Sequence, residues 1–174
     1  IGATAATFTA VQPAAASMSD TSGSARINLS GKLRIESQSI VQLACHAARP
    51  GPEQAAARAE LAEARDRFVA MASALRMGDP RLGLSEREDA SRVTDALDVG
   101  DAAWAPAALA VDALVAGNAP GRAIADLYAA EAELAASLEK LFSAVGGVHS
   151  NARNFPTSAV MAINVVLRQR TLLE

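Results

Sequence analysis

The chain has 174 residues, of which 51% are hydrophobic but only 3% aromatic, and its formal net charge is −3. This length is typical of one domain with a proper core, and an alanine-rich composition with few aromatic residues favours closely packed helices. The charge argues against a nucleic-acid surface, which would need clustered Lys and Arg, and no uncharged apolar run of about 18 residues predicts a membrane span.

The first 24 residues differ in composition from the rest of the chain. Residues 1–24 are rich in Ala, Ser and Thr and contain no Lys, Arg or Glu. The Ala14-Ala15-Ala16 run suits a signal-peptidase site, and the residues before it resemble the tail of an apolar leader, although the basic start of a leader is missing. Two interpretations of this segment stay open, a leader remnant or a flexible arm.

The first predicted helix, from about Gly23 to Arg49, carries two stripes at helical spacing. One is an ordinary core stripe of Leu29, Leu33, Ile40 and Leu43. The other consists of Ile27, Gly31, Arg34, Gln38 and Val41. A glycine inside a helix costs about 1 kcal/mol relative to alanine, so Gly31 indicates that another backbone or a ligand comes close. Arg34 on the same covered face then needs either a bound anion or a carboxylate, such as Glu36 or one on a neighbouring helix.

Four more helices are predicted, each bounded by Gly, Pro or a capping signal. The second starts near Glu53 and stops at Gly78, and the third starts at the Ser85/Glu88 capping box. The third runs to Ala116 with interruptions at Gly100 and Pro106. The fourth is ended by Gly146-Gly147 and then by Asn151 to Pro156, and the last starts near Thr157 and is still running at Glu174. These elements predict an all-α fold, an antiparallel up-down four-helix bundle with a fifth, C-terminal helix parallel to the first.

The pattern of the first helix returns near the end of the chain. Ile163, Asn164, Val165, Arg168 and Arg170 repeat the spacing of Ile27, Asn28, Leu29, Lys32 and Arg34. Leu167 stands where the first copy has Gly31. Because a fifth helix parallel to the first would bring the two copies to one level, Arg34 and Arg170 are predicted to converge on one site within the chain. In the alternative arrangement, residues 157–174 begin a second bundle, and Arg34 meets the Arg34 of a second copy across a homodimer.

The segment from Ala25 to Arg34 resembles the box that opens the extracytoplasmic sensor domain of the NarX and PilJ type, which reads Ile-Asn-x-x-Gly-x-x-Arg. That family includes nitrate/nitrite sensors and type IV pilus chemotaxis transducers, and residues 163–170 are similar to its Arg-Gln-Arg variant. The resemblance implies a helical bundle in which Arg34 holds a small anion at a helix seam. The nitrate sensors also have basic residues at two positions where this chain has Leu29 and Ser39.

We therefore expect residues 25–149 to form a four-helix sensor bundle and residues 150–174 a second box-bearing helix. The predicted ligand-binding residues are Arg34, Gly31, Arg170, Asn28 and Asn164, the ligand being nitrate or nitrite. The resemblance implies a periplasmic or extracellular location and a homodimer or membrane signalling partner. The alternative is a scaffold or interaction domain, related to the pilus transducers, that binds no small ligand.

An enzyme, a metal site and a cofactor are not predicted. The two histidines, His46 and His149, fall near opposite ends of the predicted bundle, roughly 30 Å apart at 1.5 Å per helical residue, which is too far for one metal ion. Cys45 is followed directly by His46, but no second His or acidic partner stands nearby in sequence, so Cys45 is predicted to be a small buried thiol and not a nucleophile. Trp104 and Tyr128 are predicted core residues, with the tyrosine hydroxyl reaching the surface.

Overall fold

The structure, a computed structural model, describes residues 18–150, with side chains from Ser22 onward. It contains four α-helices: α1 Met18–Ala48, α2 Gln54–Met77, α3 Ser91–Ala116 and α4 Pro120–His149, with one 3₁₀ turn at Pro80–Leu82. The prediction of an all-helical fold with four helices is confirmed for this part of the chain, which holds no strand. The predicted fifth helix lies outside the described residues.

The helices end where the local backbone chemistry requires it. The α1 helix stops at Ala48 before the Pro50-Gly51-Pro52 run, whose first proline cannot continue a helix. Gly78 after α2 and Gly117 after α3 have positive φ angles of 80° and 76°, which only glycine adopts at no steric cost. Proline at the first turn of α4 is favourable because its missing N–H has no partner there.

Two predicted boundaries differ from the structure. The α1 helix begins at Met18, ahead of the predicted start at Gly23. The α3 helix begins at Ser91, so Ser85 and Glu88 do not form a capping box. The Glu88 carboxylate instead accepts a hydrogen bond from the backbone N–H of Ala90 and pairs with Arg26 of α1. A carboxylate that is buried at the end of the bundle needs such a cationic partner.

Three predicted helix breaks do not occur where they were expected. The α3 helix is continuous through Gly100 and through the exposed Pro106, and α4 continues through Gly146-Gly147 to His149. Burial explains why the glycines do not end these helices. The glycines at 100 and 146 are buried within the bundle, so tertiary contacts outweigh a propensity cost of about 1 kcal/mol each.

Helices that are neighbours in space are joined by ion pairs along their lengths. From α1 to α2, the side chain of Arg67 pairs with Glu36, and from α2 to α3, Arg76 pairs with Asp98 and Asp101. The fourth helix closes the arrangement by returning alongside α1, where Arg34 pairs with Glu139. The end of α4 thereby lies beside the beginning of α1.

The core lies between the four helices and is built largely from leucine and alanine. The fully buried large side chains include Leu33, Ile40, Leu61, Leu75, Val111, Leu114, Leu127 and Leu141. Many of the remaining core positions are alanine, which lets helix axes approach closely. Trp104, a predicted core residue, is partly buried, and its ring packs against Phe68 with centroids 4.2 Å apart.

Candidate functional site

Arg34 lies on the side of α1 that faces α4. Its guanidinium Nη2 is 2.9 Å from the Glu139 Oε2, with the two side chains 15% and 29% exposed. The guanidinium also lies over the Phe142 ring, 5.3 Å from the centroid, within the range of a cation–π interaction. Of the two partners that the sequence allows for Arg34, the structure supplies the carboxylate on a neighbouring helix.

Gly31 lies one turn before Arg34 on the same face. A Cβ atom at Gly31 would have the Phe142 Cε2 as its nearest neighbour, at 3.6 Å, which is ordinary van der Waals contact. Among residues 18–150, the nearest group to this position is therefore the edge of the Phe142 ring and not another main chain. The alternative prediction, a ligand close to Gly31, stays a prediction.

The other predicted ligand-binding residues are not brought to this point of α1 by the described structure. Asn28 is exposed, 120° around the helix from Arg34, because six residues correspond to one and two-thirds turns. Arg170 and Asn164 lie outside the described residues, so their convergence with Arg34 stays a prediction. The α1–α4 seam is the contact formed by Gly31, Arg34, Glu139 and Phe142.

A second polar arrangement, which sequence reasoning missed, lies at the end of the bundle where α1 starts and α4 stops. This end cluster consists of Arg26, Glu88 and His149. The Arg26 Nη1 is 3.1 Å from the Glu88 Oε2, and the two side chains are only 4% and 1% exposed. The same carboxylate oxygen lies 2.8 Å from the Nε2 of His149.

The end cluster ties the 78–90 connection to the helices on either side of it. Arg26 donates to the backbone carbonyls of Leu75 and Glu86, the former at 2.7 Å. The backbone N–H of Glu88 donates to the Arg76 carbonyl at 3.0 Å. Beside these bonds is a small cleft of about 160 Å³. The polar groups at this corner thus hold α1, α4 and the connection together.

The sequence did contain a signal for the end cluster. Arg26 stands one heptad before Leu33 and two before Ile40, so it falls on the apolar core stripe of α1. A cation on a buried stripe requires a carboxylate partner. That partner, Glu88, was not recognised from the sequence because it also fits the pattern of a capping box with Ser85.

Near the opposite end of α1, the Cys45 sulfur lies 2.8 Å from the Tyr128 hydroxyl of α4. This hydrogen bond to Cys45 is the main cause of a raised pKa for Tyr128. Tyr128 is half exposed and Cys45 partly exposed, so neither is the buried residue that the sequence predicted. The two side chains contact each other at the surface of the bundle, between α1 and α4.

The described residues were searched for metal-binding clusters and for helices that could span a membrane. Within residues 18–150, no group of three or more His, Cys, Asp and Glu side chains is arranged to hold a metal ion. One helix in that range, α3, is long and apolar enough to cross a membrane by length and composition alone. The sequence criterion passed over α3 because Asp101 and Asp112 interrupt its apolar run.

The comparison with known families identifies the class of domain to which most of the described helices belong. Residues 15–126 match the family model described as the N-terminal domain of the type IV pili methyl-accepting chemotaxis transducer, PilJ. No curated protein and no solved structure matches the chain. The match names the pilus branch of the resemblance and lends no support to the nitrate-sensor branch. Because it covers more than half of the chain, including α1 with its box, all of α2 and α3 and the start of α4, the chain belongs to the family of type IV pilus chemotaxis transducer N-terminal domains.

Proposed function

We propose that this chain is a helical interaction and signalling module of a type IV pilus chemotaxis transducer, and that its box joins helices instead of binding a small anion. The family match supports the class of protein. The observation that carries the rest is the Arg34–Glu139 pair, in which a carboxylate of the chain itself occupies the guanidinium.

The geometry of the α1–α4 seam disfavours exchange of Glu139 for a free anion. Phe142 covers one face of the Arg34 guanidinium, which is 15% exposed, so an incoming anion would have to compete for the same edge. A displaced Glu139 would remain tethered nearby and would repel that anion. A carboxylate that is already held next to the guanidinium also has a high effective concentration compared with a dissolved ligand.

The competing hypothesis is a nitrate or nitrite site that uses Arg34 and Gly31, with Asn28, Arg170 and Asn164 as further ligands. In that mechanism, a bound oxyanion would cancel the repulsion between two arginines and shift the helices that carry them. The hypothesis requires Glu139 to move away from Arg34. It therefore predicts anion binding that depends on Arg34.

Isothermal titration of the chain with nitrate, nitrite and sulfate separates the two. We expect no saturable heat with any of these anions, in the native chain or in Arg34→Ala. Arg67→Ala is the matched control, because Arg67 also pairs with a carboxylate across two helices but lies outside the seam. Saturable heat with nitrate or nitrite that is kept in Arg67→Ala and lost in Arg34→Ala would overturn the proposal.

The proposal includes a periplasmic location and a signalling partner in the membrane, in keeping with the transducer family. It also keeps the domain limits derived from the sequence, a bundle of residues 25–149 flanked by residues 1–24 and by a second box-bearing helix at 150–174. Alkaline phosphatase fused to the C-terminus of the bundle in the native transducer tests the location, since this reporter is active only outside the cytoplasm. The periplasmic location would be contradicted if the phosphatase fusion were inactive while a reporter that works only in the cytoplasm, fused at the same point, were active.

A further inference from the structure

The outer surface of α3 carries an apolar stripe that is exposed at every position except the partly buried Ala113. The stripe follows a 3-4-3-4-3 spacing and consists of Val99, Ala102, Pro106, Leu109, Ala113 and Ala116. Leu109 is 73% exposed and Val99 51% exposed. Only a third of the most apolar 18-residue stretch of α3 is buried, so the core does not account for the apolar character of this helix.

Beside the stripe, α3 and α4 form a groove of about 570 Å³. Leu109 and Ala113 line it from α3, and Ala123, Ala129 and Ala130 line it from α4. Alanines leave room for another helix to come close, and the heptad spacing of the stripe matches the seam of a coiled coil. The stretch from Val99 to Ala116 spans about 26 Å at 1.5 Å per residue. The surface therefore has the length and shape to take a helix of about five turns.

Charges on both sides of the stripe indicate which helix would fit. The five flanking carboxylates are Asp98, Asp101 and Asp112 on the side of α2, and Asp126 and Glu133 on α4. The nearby cations are four arginines: Arg76 and Arg65, which pair with the α3 aspartates, Arg122, which is 3.6 Å from Asp126, and Arg58, whose guanidinium lies against Gly117 at the end of the stripe. The flanks thus carry an excess of negative charge.

We propose that the α3 stripe and its groove bind an amphipathic helix of a partner protein, with apolar residues at heptad spacing and Lys or Arg on the flanks. Basic flanking residues meet the carboxylates in the way that charged e and g positions select partners in coiled coils. Two copies of this chain joined by the same face would oppose acidic flanks, and an anionic lipid surface would be repelled by them. The inference rests on the proposed interaction function and names the chemistry of the partner.

The test uses a fluorescent helical peptide of about three heptads that is monomeric in solution, with Leu at the seam and Lys at the flanks. Fluorescence anisotropy should show saturable binding that weakens with salt, and a matched peptide with Glu in place of Lys should not bind. Leu109→Asp should weaken binding at least about tenfold, equivalent to about 1.4 kcal/mol. Ile35→Asp is the control, because Ile35 is an exposed apolar residue on α1, outside the stripe and the groove.

Several outcomes would overturn the proposal. The first is equal binding of the Lys and Glu peptides, or binding that Leu109→Asp leaves unchanged while circular dichroism shows both variants folded. The second is a dimer of the chain in analytical ultracentrifugation that Leu109→Asp dissociates, which makes a second copy the occupant. The third is co-sedimentation with anionic phospholipid vesicles that requires Leu109. If the Lys peptide does not bind, this inference is rejected. If the titrations with anions also give no heat, the proposed role of the α1–α4 seam still stands.

Discussion

Two arginines on α1 show how burial changes the role of one residue type. Arg26 in the end cluster is 4% exposed and has a carboxylate and two backbone carbonyls as partners. Arg34 in the α1–α4 seam is 15% exposed and pairs with a carboxylate that is itself 29% exposed. The sequence singled out Arg34 because it belongs to the box. In the structure, Arg26 is the more deeply buried of the two and therefore depends more on its partners. A charge that is almost fully removed from water depends on every one of its partners.

The largest effect that sharpens this comparison is expected from Glu88→Ala. It removes the carboxylate from Arg26 and leaves a buried guanidinium without its counter-charge, so the free energy of unfolding should fall by about 3–5 kcal/mol. Urea unfolding followed by circular dichroism measures it. Asp98→Ala, which removes an exposed carboxylate with a partner on α2, should change stability by only about 0.5 kcal/mol. Equal costs for the two variants would contradict the contrast between buried and exposed pairs.

A smaller effect is expected in the seam. Arg34→Ala should lower the free energy of unfolding by about 1 kcal/mol, since the pair with Glu139 is partly solvated and the Phe142 contact adds a modest cation–π contribution. A double-mutant cycle with Glu139→Gln should isolate a coupling of about 0.5–1 kcal/mol. If the coupling reached the size expected at Glu88, the seam and the end cluster would not differ in kind.

Gly31→Ala tests whether the seam needs a glycine. Because the added Cβ would meet only a ring carbon at 3.6 Å and the residue is helical, we expect the variant to be stabilised by about 0.4–1 kcal/mol. Gly117→Ala is the matched control. It should destabilise, because the φ angle at Gly117 is 76° and a Cβ would collide with the Arg58 guanidinium. A loss of stability in Gly31→Ala would restore the case for close approach at this position.

The smallest effect concerns the far end of the same α1–α4 interface. Removing the thiol in Cys45→Ala should lower the pKa of Tyr128 toward its ordinary value, because the hydrogen bond with Cys45 is the main cause of the raised pKa. Tyr128 is the only tyrosine in the chain, so the phenolate absorbance in a pH titration reports on it alone. Ser39→Ala, which removes an exposed hydrogen bond of α1, is the control. An unchanged titration would mean that the two side chains are not in contact in solution.

Residue patterns alone were sufficient to predict the four described helices and the family, but not every helix boundary. Periodic leucines and alanines, with Gly and Pro at the turns, predicted four helices because these signals act within a few residues of each other. The box from Ala25 to Arg34 identified a family that the match over residues 15–126 confirms in its pilus branch. The errors at Ser85 and Gly100 arose where packing outweighed local preference, whereas no contact in the structure explains why α3 continues through the exposed Pro106.

Tertiary structure alone decided which charged groups meet. Glu88 and Arg26 are 62 positions apart in the chain, and no local pattern distinguishes a capping glutamate from a buried ion-pair partner. The same holds for Arg34, whose anion and carboxylate alternatives were separated only because α4 returns alongside α1 with Glu139 at the matching level. Local interactions determine where helices begin and end, but the partner of a buried charge depends on how whole helices pack.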